Sequence, residues 1–176
     1  MRYADYYDCD ICNGNNVGMS LFISGCPIHC DECFNSDIWE FNSGKEWTQE
    51  AENKFIELVN RPYIKRISFL GGSPLCNENV ADVLKVINKL KTLYPQKQIW
   101  VYTGYTWEEI WRNNDEYSKL KQEVLKSIDI LVDGPFVYEK RDLSLAFRGS
   151  TNQRIIDVQR SIQEGKIVLW KNGDYH

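Results

Sequence analysis

The stretch that decides the fold is Ser24-Gly25-Cys26-Pro27-Ile28-His29-Cys30-Asp31-Glu32-Cys33-Phe34-Asn35, which follows the apolar run Ser20-Leu21-Phe22-Ile23. Its three cysteines are spaced Cys-x3-Cys-x2-Cys. A closed zinc site needs four ligands, whereas an iron–sulfur cube is held by closely spaced thiolates. Three thiolates leave one iron of a cube without a protein ligand, and an open metal position is typical of a catalytic site.

The alternative interpretation of this stretch is a zinc site or an electron-carrying cluster. Either would need a fourth ligand, supplied by His29 or by a distant cysteine. A lone histidine in such a loop is more often at the surface or behind a ligand than a ligand itself. We therefore expect Cys26, Cys30 and Cys33 to be the metal ligands.

Composition limits the classes of partner and the number of domains. The chain has 176 residues, of which 43% are hydrophobic, and this length predicts a single domain with a real core spanning residues 1–176. A formal net charge of -4 argues against nucleic acid and anionic membranes as partners. The sequence has no secretory leader and no apolar run long enough to span a bilayer, which predicts a soluble, cytoplasmic protein.

Six cysteines, three of them in metal-ligand spacing, indicate thiols kept reduced in the cytosol rather than a disulfide framework. Cys9 and Cys12 form a second close pair, but the sequence near them offers no further ligand. We expect these two residues, and Cys76, to be ordinary thiols.

Hydrophobic periodicity predicts strands that alternate with helices. The expected strands lie at 20–23, 67–70, 99–102, 128–132, 155–158 and 167–170. Helices are expected from Thr48 to before Pro62, over 80–90 before Pro95, from a capping box at 106–109, and around 117–124. Residues 1–17 are polar and rich in turn formers, so we expect an entry segment without regular structure.

Alternating strands and helices favour a parallel sheet in the α/β class. Each of the first four strands ends in an unusual loop sequence, and the carboxyl ends of parallel strands share one edge, so these loops should meet at one mouth. A complete eight-unit barrel needs ~200 residues or more, so the chain should form an open, partial β/α barrel. Its lateral opening would admit a macromolecular substrate.

Six motifs together carry a resemblance over residues 5–158. The chain resembles the activating proteins of anaerobic (class III) ribonucleotide reductase, within the radical S-adenosylmethionine (SAM) superfamily. The motifs are Asn13-Gly14, Ser-Gly-Cys-x3-Cys-x2-Cys-Phe-Asn from Ser24, Gly-Gly-x-Pro from Gly71, Trp-Val-Tyr-Thr-Gly-Tyr from Trp100, Leu-Val-Asp-Gly-Pro-Phe from Leu131 and Phe-Arg-Gly-Ser-x-Asn-Gln-Arg from Phe147. Departures from the family pattern are Ser73 in place of an acidic residue, Glu32 in place of an aromatic residue, and Gly18 in place of an arginine.

The resemblance implies a radical SAM enzyme with a [4Fe-4S] cluster on Cys26, Cys30 and Cys33. SAM would be cleaved reductively to methionine and a 5'-deoxyadenosyl radical, which removes a hydrogen atom from a glycine of the reductase catalytic subunit. The electron would come from a flavodoxin-type or ferredoxin-type donor. The residues that the resemblance places around SAM are Glu32, Cys33, Phe34, Gly71, Gly72 and Ser73.

The resemblance also implies that the open side of the barrel, together with 148–154, receives the reductase. A neighbouring possibility is another small radical SAM enzyme, of the formate-lyase activase or deazaguanine synthase type. From a different class, a non-catalytic iron–sulfur carrier or zinc module remains an alternative.

Overall fold

The computed structural model describes residues 1–171 of the chain. Seven strands form one sheet that does not close on itself. In chain order they are β1 Arg2–Asp10, β2 Gly18–Ile23, β3 Lys45–Glu46, β4 Arg66–Gly71, β5 Gln98–Tyr102, β6 Ile130–Asp133 and β7 Arg154–Asp157. Their order across the sheet is β3-β1-β2-β4-β5-β6-β7.

Helices cover one face of this sheet. They are α1 Gln49–Val59, α2 Val80–Leu93, α3 Trp107–Arg112, α4 Glu116–Ser127 and α5 Val158–Glu164. Their apolar residues join those of the strands in one buried cluster. Within residues 1–171, none of the helices has the length and apolar character needed to cross a membrane.

The centre of the sheet is parallel, as the alternation of strands and helices predicts. β2 pairs with β4, β4 with β5 and β5 with β6, all in parallel register. The predicted α/β class is therefore confirmed. The sheet is open and mixed, since β1, β3 and β7 pair antiparallel with their neighbours. The capping box predicted at the start of α3 is present on Thr106 and Glu109.

The prediction of an irregular segment over residues 1–17 is wrong for Arg2–Asp10, which forms β1. This strand inserts between β2 and the two-residue strand β3. Asp5 and Asp8 are exposed, while Tyr3 is buried and packs edge-on against Trp47. Only Tyr3 and Asp10 of this strand are buried, so it lacks the apolar alternation that would have revealed it.

The strand predictions at the end of the chain are partly wrong. The strand predicted over 155–158 is β7, which begins and ends one residue earlier. Val158 instead begins α5, because the Asp157 side chain caps this helix by accepting from the Arg160 N–H. The segment 167–170 makes an isolated bridge between Leu169 and Ile156 and does not form a strand. The four-residue apolar run there is too short to distinguish a bridge from a strand by sequence.

Candidate metal centre and substrate cavity

A cavity of about 490 Å³ lies at the carboxyl edge of the parallel strands. The loops after β2, β4, β5 and β6 all contribute to its wall, as the four unusual loop sequences predict. Residues from these loops that line it include Cys26, Cys30, Cys33, Gly71, Gly72, Thr103, Gly104 and Gly134. The first loop is also packed onto the third, since a Cβ added at Gly104 would lie 2.4 Å from the Ile28 Cδ1.

The three predicted metal ligands share one wall of this cavity. Cys26 is buried, while Cys30 and Cys33 are half-buried. Burial raises the pKa of the Cys30 thiol, and the neighbouring Cys33 and Cys26 raise it further, whereas an N–H of Phe136 acts in the opposite direction. Both effects disfavour the Cys30 thiolate, and a bound cation would favour it.

Backbone conformation turns the three thiols toward the same side. His29 and Glu32 adopt left-handed φ angles of 50° and 52°, which are uncommon for residues with side chains. The Cys33 N–H then donates to the Cys30 carbonyl over 3.2 Å and closes the turn between these two cysteines. The loop therefore folds back on itself between Cys26 and Cys33.

Three cysteine thiols on one loop suit an iron–sulfur cluster, which closely spaced thiolates hold. The Asn35 N–H also donates to Cys33 Sγ at 3.4 Å. Such N–H donors stabilise the negative charge of cluster sulfurs.

The cluster loop is fastened to the Gly-Gly turn after β4 by backbone hydrogen bonds. The Gly72 N–H donates to the Ile23 carbonyl over 2.7 Å, and the Ser73 N–H donates to the Gly25 carbonyl over 2.8 Å. A Cβ at Gly72 would lie 2.4 Å from the Gly25 carbonyl oxygen. Only glycine permits this approach, which brings the turn against the residue before Cys26.

Asn79 braces the same junction, and the sequence did not identify it. Its side chain is 2% exposed and donates to the carbonyls of Ser24, at 3.0 Å, and Ser73, at 3.2 Å. The only sequence signal was an asparagine directly before α2, which is typical of a helix cap. Its side chain makes no capping hydrogen bond. Asn79 therefore holds the two loops together rather than starting the helix.

Buried polar atoms without partners mark where a polar ligand fits. Within the described residues these atoms include Ser73 Oγ, Trp39 Nε1 and the Tyr102 hydroxyl. Trp39 and Tyr102 line the cavity. Burial raises the pKa of Tyr102, so its hydroxyl stays neutral and able to donate. Because buried polar groups normally have partners, the Trp39 and Tyr102 groups on the cavity wall suit a ligand with polar groups.

The residues predicted around SAM fall at three positions. Cys33, Phe34, Gly71 and Gly72 line the cavity itself. Glu32 is exposed and lines an adjoining pocket of about 440 Å³ that Cys33 and Phe34 share. Ser73 is 1% exposed and lies behind the Gly-Gly turn, outside the set that lines the cavity.

The other residues considered from sequence have distinct surroundings. His29 stacks on Trp39 with ring centroids 4.5 Å apart. Cys76 is fully buried, and burial raises its pKa to about 12, which is the behaviour of an inert thiol. Cys9 and Cys12 are both exposed, and Cys12 also lines the cavity.

The segment 148–154 is braced by hydrogen bonds at almost every residue. Gln153 Oε1 accepts from the N–H groups of Gly149 and Ser150, and its amide nitrogen donates to the Gly134 carbonyl over 3.1 Å. The Arg154 guanidinium pairs with Asp133 and with Glu108. The segment thus fixes the loop before it against the end of β6.

Comparison with known proteins agrees with this geometry. A family model described as a 4Fe-4S single cluster domain matches residues 12–156. The anaerobic ribonucleoside-triphosphate reductase-activating protein of Escherichia coli (strain K12) is 41% identical over 155 residues, covering 87% of this chain and 96% of that protein.

Two further relatives carry the same name. That of Vibrio cholerae serotype O1 is 40% identical over 157 residues, covering 88% of this chain and 97% of the relative. That of Enterobacteria phage T4 is 32% identical, covering 88% and 93%. The chain belongs to the family of anaerobic ribonucleoside-triphosphate reductase-activating proteins.

Proposed function

We propose that this protein activates an anaerobic ribonucleoside-triphosphate reductase by generating a glycyl radical on its catalytic subunit. The observation that carries the proposal is the placement of three cysteines on one wall of a cavity that four strand-end loops enclose. When bound, a [4Fe-4S] cluster and SAM supply the chemistry, a reductive C–S cleavage whose 5'-deoxyadenosyl radical takes a hydrogen atom from a glycine. The names of the relatives support the choice of partner.

In this proposal Cys26, Cys30 and Cys33 would hold the cluster as thiolates. Three thiolates would leave one iron for the substrate, which is the open position that catalytic metal sites require. The N–H group of Asn35 would stabilise the negative charge on Cys33 Sγ.

The same cavity would receive SAM beside the cysteines. Gly71 and Gly72 offer bare backbone for close approach, and Phe34 offers an aromatic face. The resemblance places Ser73 near the methionyl ammonium, and its buried Oγ has no hydrogen-bond partner among residues 1–171. Glu32 and Cys33 contribute backbone from the cluster loop.

The proposal also includes the fold type and the electron donor. The open sheet with four parallel strands is compatible with a partial β/α barrel of the radical SAM type, built from a single domain of residues 1–176. A flavodoxin-type or ferredoxin-type protein would supply the electron, in the cytoplasm, where the cluster stays reducible.

Anaerobic reconstitution with iron and sulfide, followed by reaction with SAM and dithionite, tests the proposal. We expect 5'-deoxyadenosine release and, when the reductase catalytic subunit is added, the electron paramagnetic resonance doublet of a glycyl radical. Release of 5'-deoxyadenosine without any glycyl radical on the reductase would indicate another small radical SAM enzyme. A protein that holds iron but releases no 5'-deoxyadenosine would be an iron–sulfur carrier.

A further inference from the structure

Exposed apolar side chains concentrate at the mouth of the cavity. The most exposed large hydrophobic residues among residues 1–171 are Leu143 at 81%, Ile11 at 67% and Phe34 at 65%, and the next is Tyr7 at 55%. Leu143 and Phe34 line the cavity, and Ile11 directly precedes Cys12, which also lines it. Single exposed apolar residues are ordinary, but two that line one opening, with a third next in sequence to a lining residue, mark an interaction site.

Leu143 stands at the tip of a braced loop. Backbone bonds close this loop between Arg141 and Ser150, where the two residues form an antiparallel bridge and the Asp142 N–H donates to the Gly149 carbonyl over 3.2 Å. The Asp142 carboxylate accepts from the Ser144 N–H at 2.8 Å and fixes the turn around Leu143. The apolar side chain is therefore held outward by local hydrogen bonds.

Phe34 is held at the mouth by two ring contacts. Its ring packs against Phe136 with centroids 5.4 Å apart, and the Arg141 guanidinium lies 5.4 Å from the Phe34 ring centroid. These contacts cover one part of the ring and leave most of the side chain in solvent. A ring that is positioned before binding loses little entropy when a partner covers it.

We propose that Ile11, Phe34 and Leu143 form a docking surface for the apolar side chains that flank the target glycine of the reductase catalytic subunit. The inference rests on the proposed function and adds the surface that selects the protein substrate. A glycine on another protein reaches the buried cysteine wall only if its own segment enters this mouth. The side chains at the edge of the mouth therefore contact the residues on either side of the glycine.

Charge at the mouth favours an apolar mode of docking. The residues before Leu143 are Glu139, Lys140, Arg141 and Asp142, two of each sign. Their charges cancel within a few residues, so they present no field of one sign to steer a charged partner. Binding should therefore depend on buried apolar area and be little changed by salt.

Two variants test the surface, Leu143→Asp and Ile11→Asp, with Leu93→Asp as the matched control. Leu93 is 47% exposed at the end of α2 and does not border the cavity. Dissociation constants for the purified catalytic subunit would be measured anaerobically by calorimetry on the reconstituted proteins, at low and high salt. Each mouth variant should bind about tenfold more weakly, as expected for a central apolar contact, with iron content equal to that of the unchanged protein. The control should bind like the unchanged protein.

Two results would overturn the inference while the proposed function stands. One is unchanged affinity in both mouth variants when the unchanged protein still forms the glycyl radical. The other is a steep loss of affinity with salt in the unchanged protein, which would replace apolar docking with electrostatic docking. A protein that cleaves SAM but neither binds nor activates the catalytic subunit would instead refute the proposed function.

Discussion

The two faces of the central sheet follow different rules. On the helix-covered face, alternate residues of β2 and β4 such as Leu21, Ile23 and Phe69 are fully buried in one apolar cluster. On the cavity face of the same strands lie Ser20 and Ser68, which belong to a buried polar network. Residues one position apart thus meet different environments, because strand side chains alternate between faces.

A buried arginine organises the polar network on the cavity face. Arg66 is 0% exposed, and its guanidinium donates to the carbonyls of Asn15, at 2.9 Å, and Asn13, at 2.7 Å. The Asp10 carboxylate lies 3.6 Å from its Nη2. A Cβ at Gly14 would lie 2.5 Å from the Arg66 Cδ, so the loop after β1 is shaped around this side chain.

For β2 and β4, the difference teaches that the helix-covered face supplies stability, whereas the cavity face supplies position. A buried ion pair contributes little net stability compared with apolar packing, since desolvation opposes the attraction of the charges. The Arg66 network instead fixes the path of the loop that carries Cys12 and Asn13 to the cavity wall. The following predictions test this division, beginning with the largest effect.

Cys30→Ala should abolish the cluster and all activity. No neighbouring side chain replaces a lost thiolate, and the reconstituted variant should contain almost no iron. Because the thiol lies on the cavity face, the unfolding free energy of the metal-free protein should change by less than about 1 kcal/mol. The control is Cys9→Ala/Cys12→Ala, which should keep its iron. Loss of iron in that control, with iron kept in Cys30→Ala, would contradict the ligand assignment.

Asp10→Asn should lower the unfolding free energy by about 3 kcal/mol at neutral pH, because it leaves the Arg66 charge buried without its partner. Burial opposes ionisation of Asp10, but hydrogen bonds from Ser20, Cys12 and Asn13 and the Arg66 charge outweigh it and lower the pKa of Asp10. The stability that this lowered pKa confers is present above the unfolded pKa of ~3.9 and is lost as pH falls through the folded pKa.

Urea unfolding of the metal-free proteins from pH 7 to pH 3 measures this effect. The gap between the unchanged protein and Asp10→Asn should be constant above about pH 5 and narrow below about pH 4. Leu21→Ala on the helix-covered face is the control, with a loss of about 2–5 kcal/mol that does not depend on pH. A pH-independent gap for Asp10→Asn would show that its carboxylate is not ionised in the network.

Arg148→Ala should slow glycyl-radical formation about tenfold more than SAM cleavage, a difference of ~1.4 kcal/mol. Arg148 lines the cavity, and its Nη1 donates to the Gln153 carbonyl over 2.8 Å, which ties it to the braced segment before β7. Both rates would be measured with dithionite on the same reconstituted sample. Arg160→Ala, in an exposed pair with Glu164, is the control. Equal loss of both rates would place Arg148 with SAM instead of with the reductase.

Ser73→Asp should tighten SAM binding by a few-fold or leave it unchanged. A carboxylate would accept a charge-assisted hydrogen bond from the methionyl ammonium, and the gain over a hydroxyl is ~1 kcal/mol. Ser73→Ala, which removes the unpartnered Oγ, is the matched comparison. Dissociation constants for SAM on proteins with intact clusters decide the point. A tenfold weaker constant for Ser73→Asp would show that this side chain does not face the ammonium.

The sequence by itself determined the central architecture and the candidate metal ligands. The four parallel-core strands and the helices α1 to α4 follow from strong local signals, namely apolar periodicity, proline stops and the capping box at Thr106. The spacing of Cys26, Cys30 and Cys33 is likewise local information. The meeting of the four loops at one cavity follows from chirality and strand direction, which the sequence pattern also implies.

Only the tertiary structure decided the parts that depend on distant partners. β1 is a strand because β2 and β3 supply its hydrogen bonds, and its own residues are too polar to predict that pairing. Asn79, a cap by its sequence position, acts as a brace because the Ser24 carbonyl, 55 residues away in sequence, comes within 3.0 Å of its amide. The outward position of Leu143 also arises from bonds made after folding. Such roles depend on contacts between segments far apart in the chain, and local propensity does not encode them.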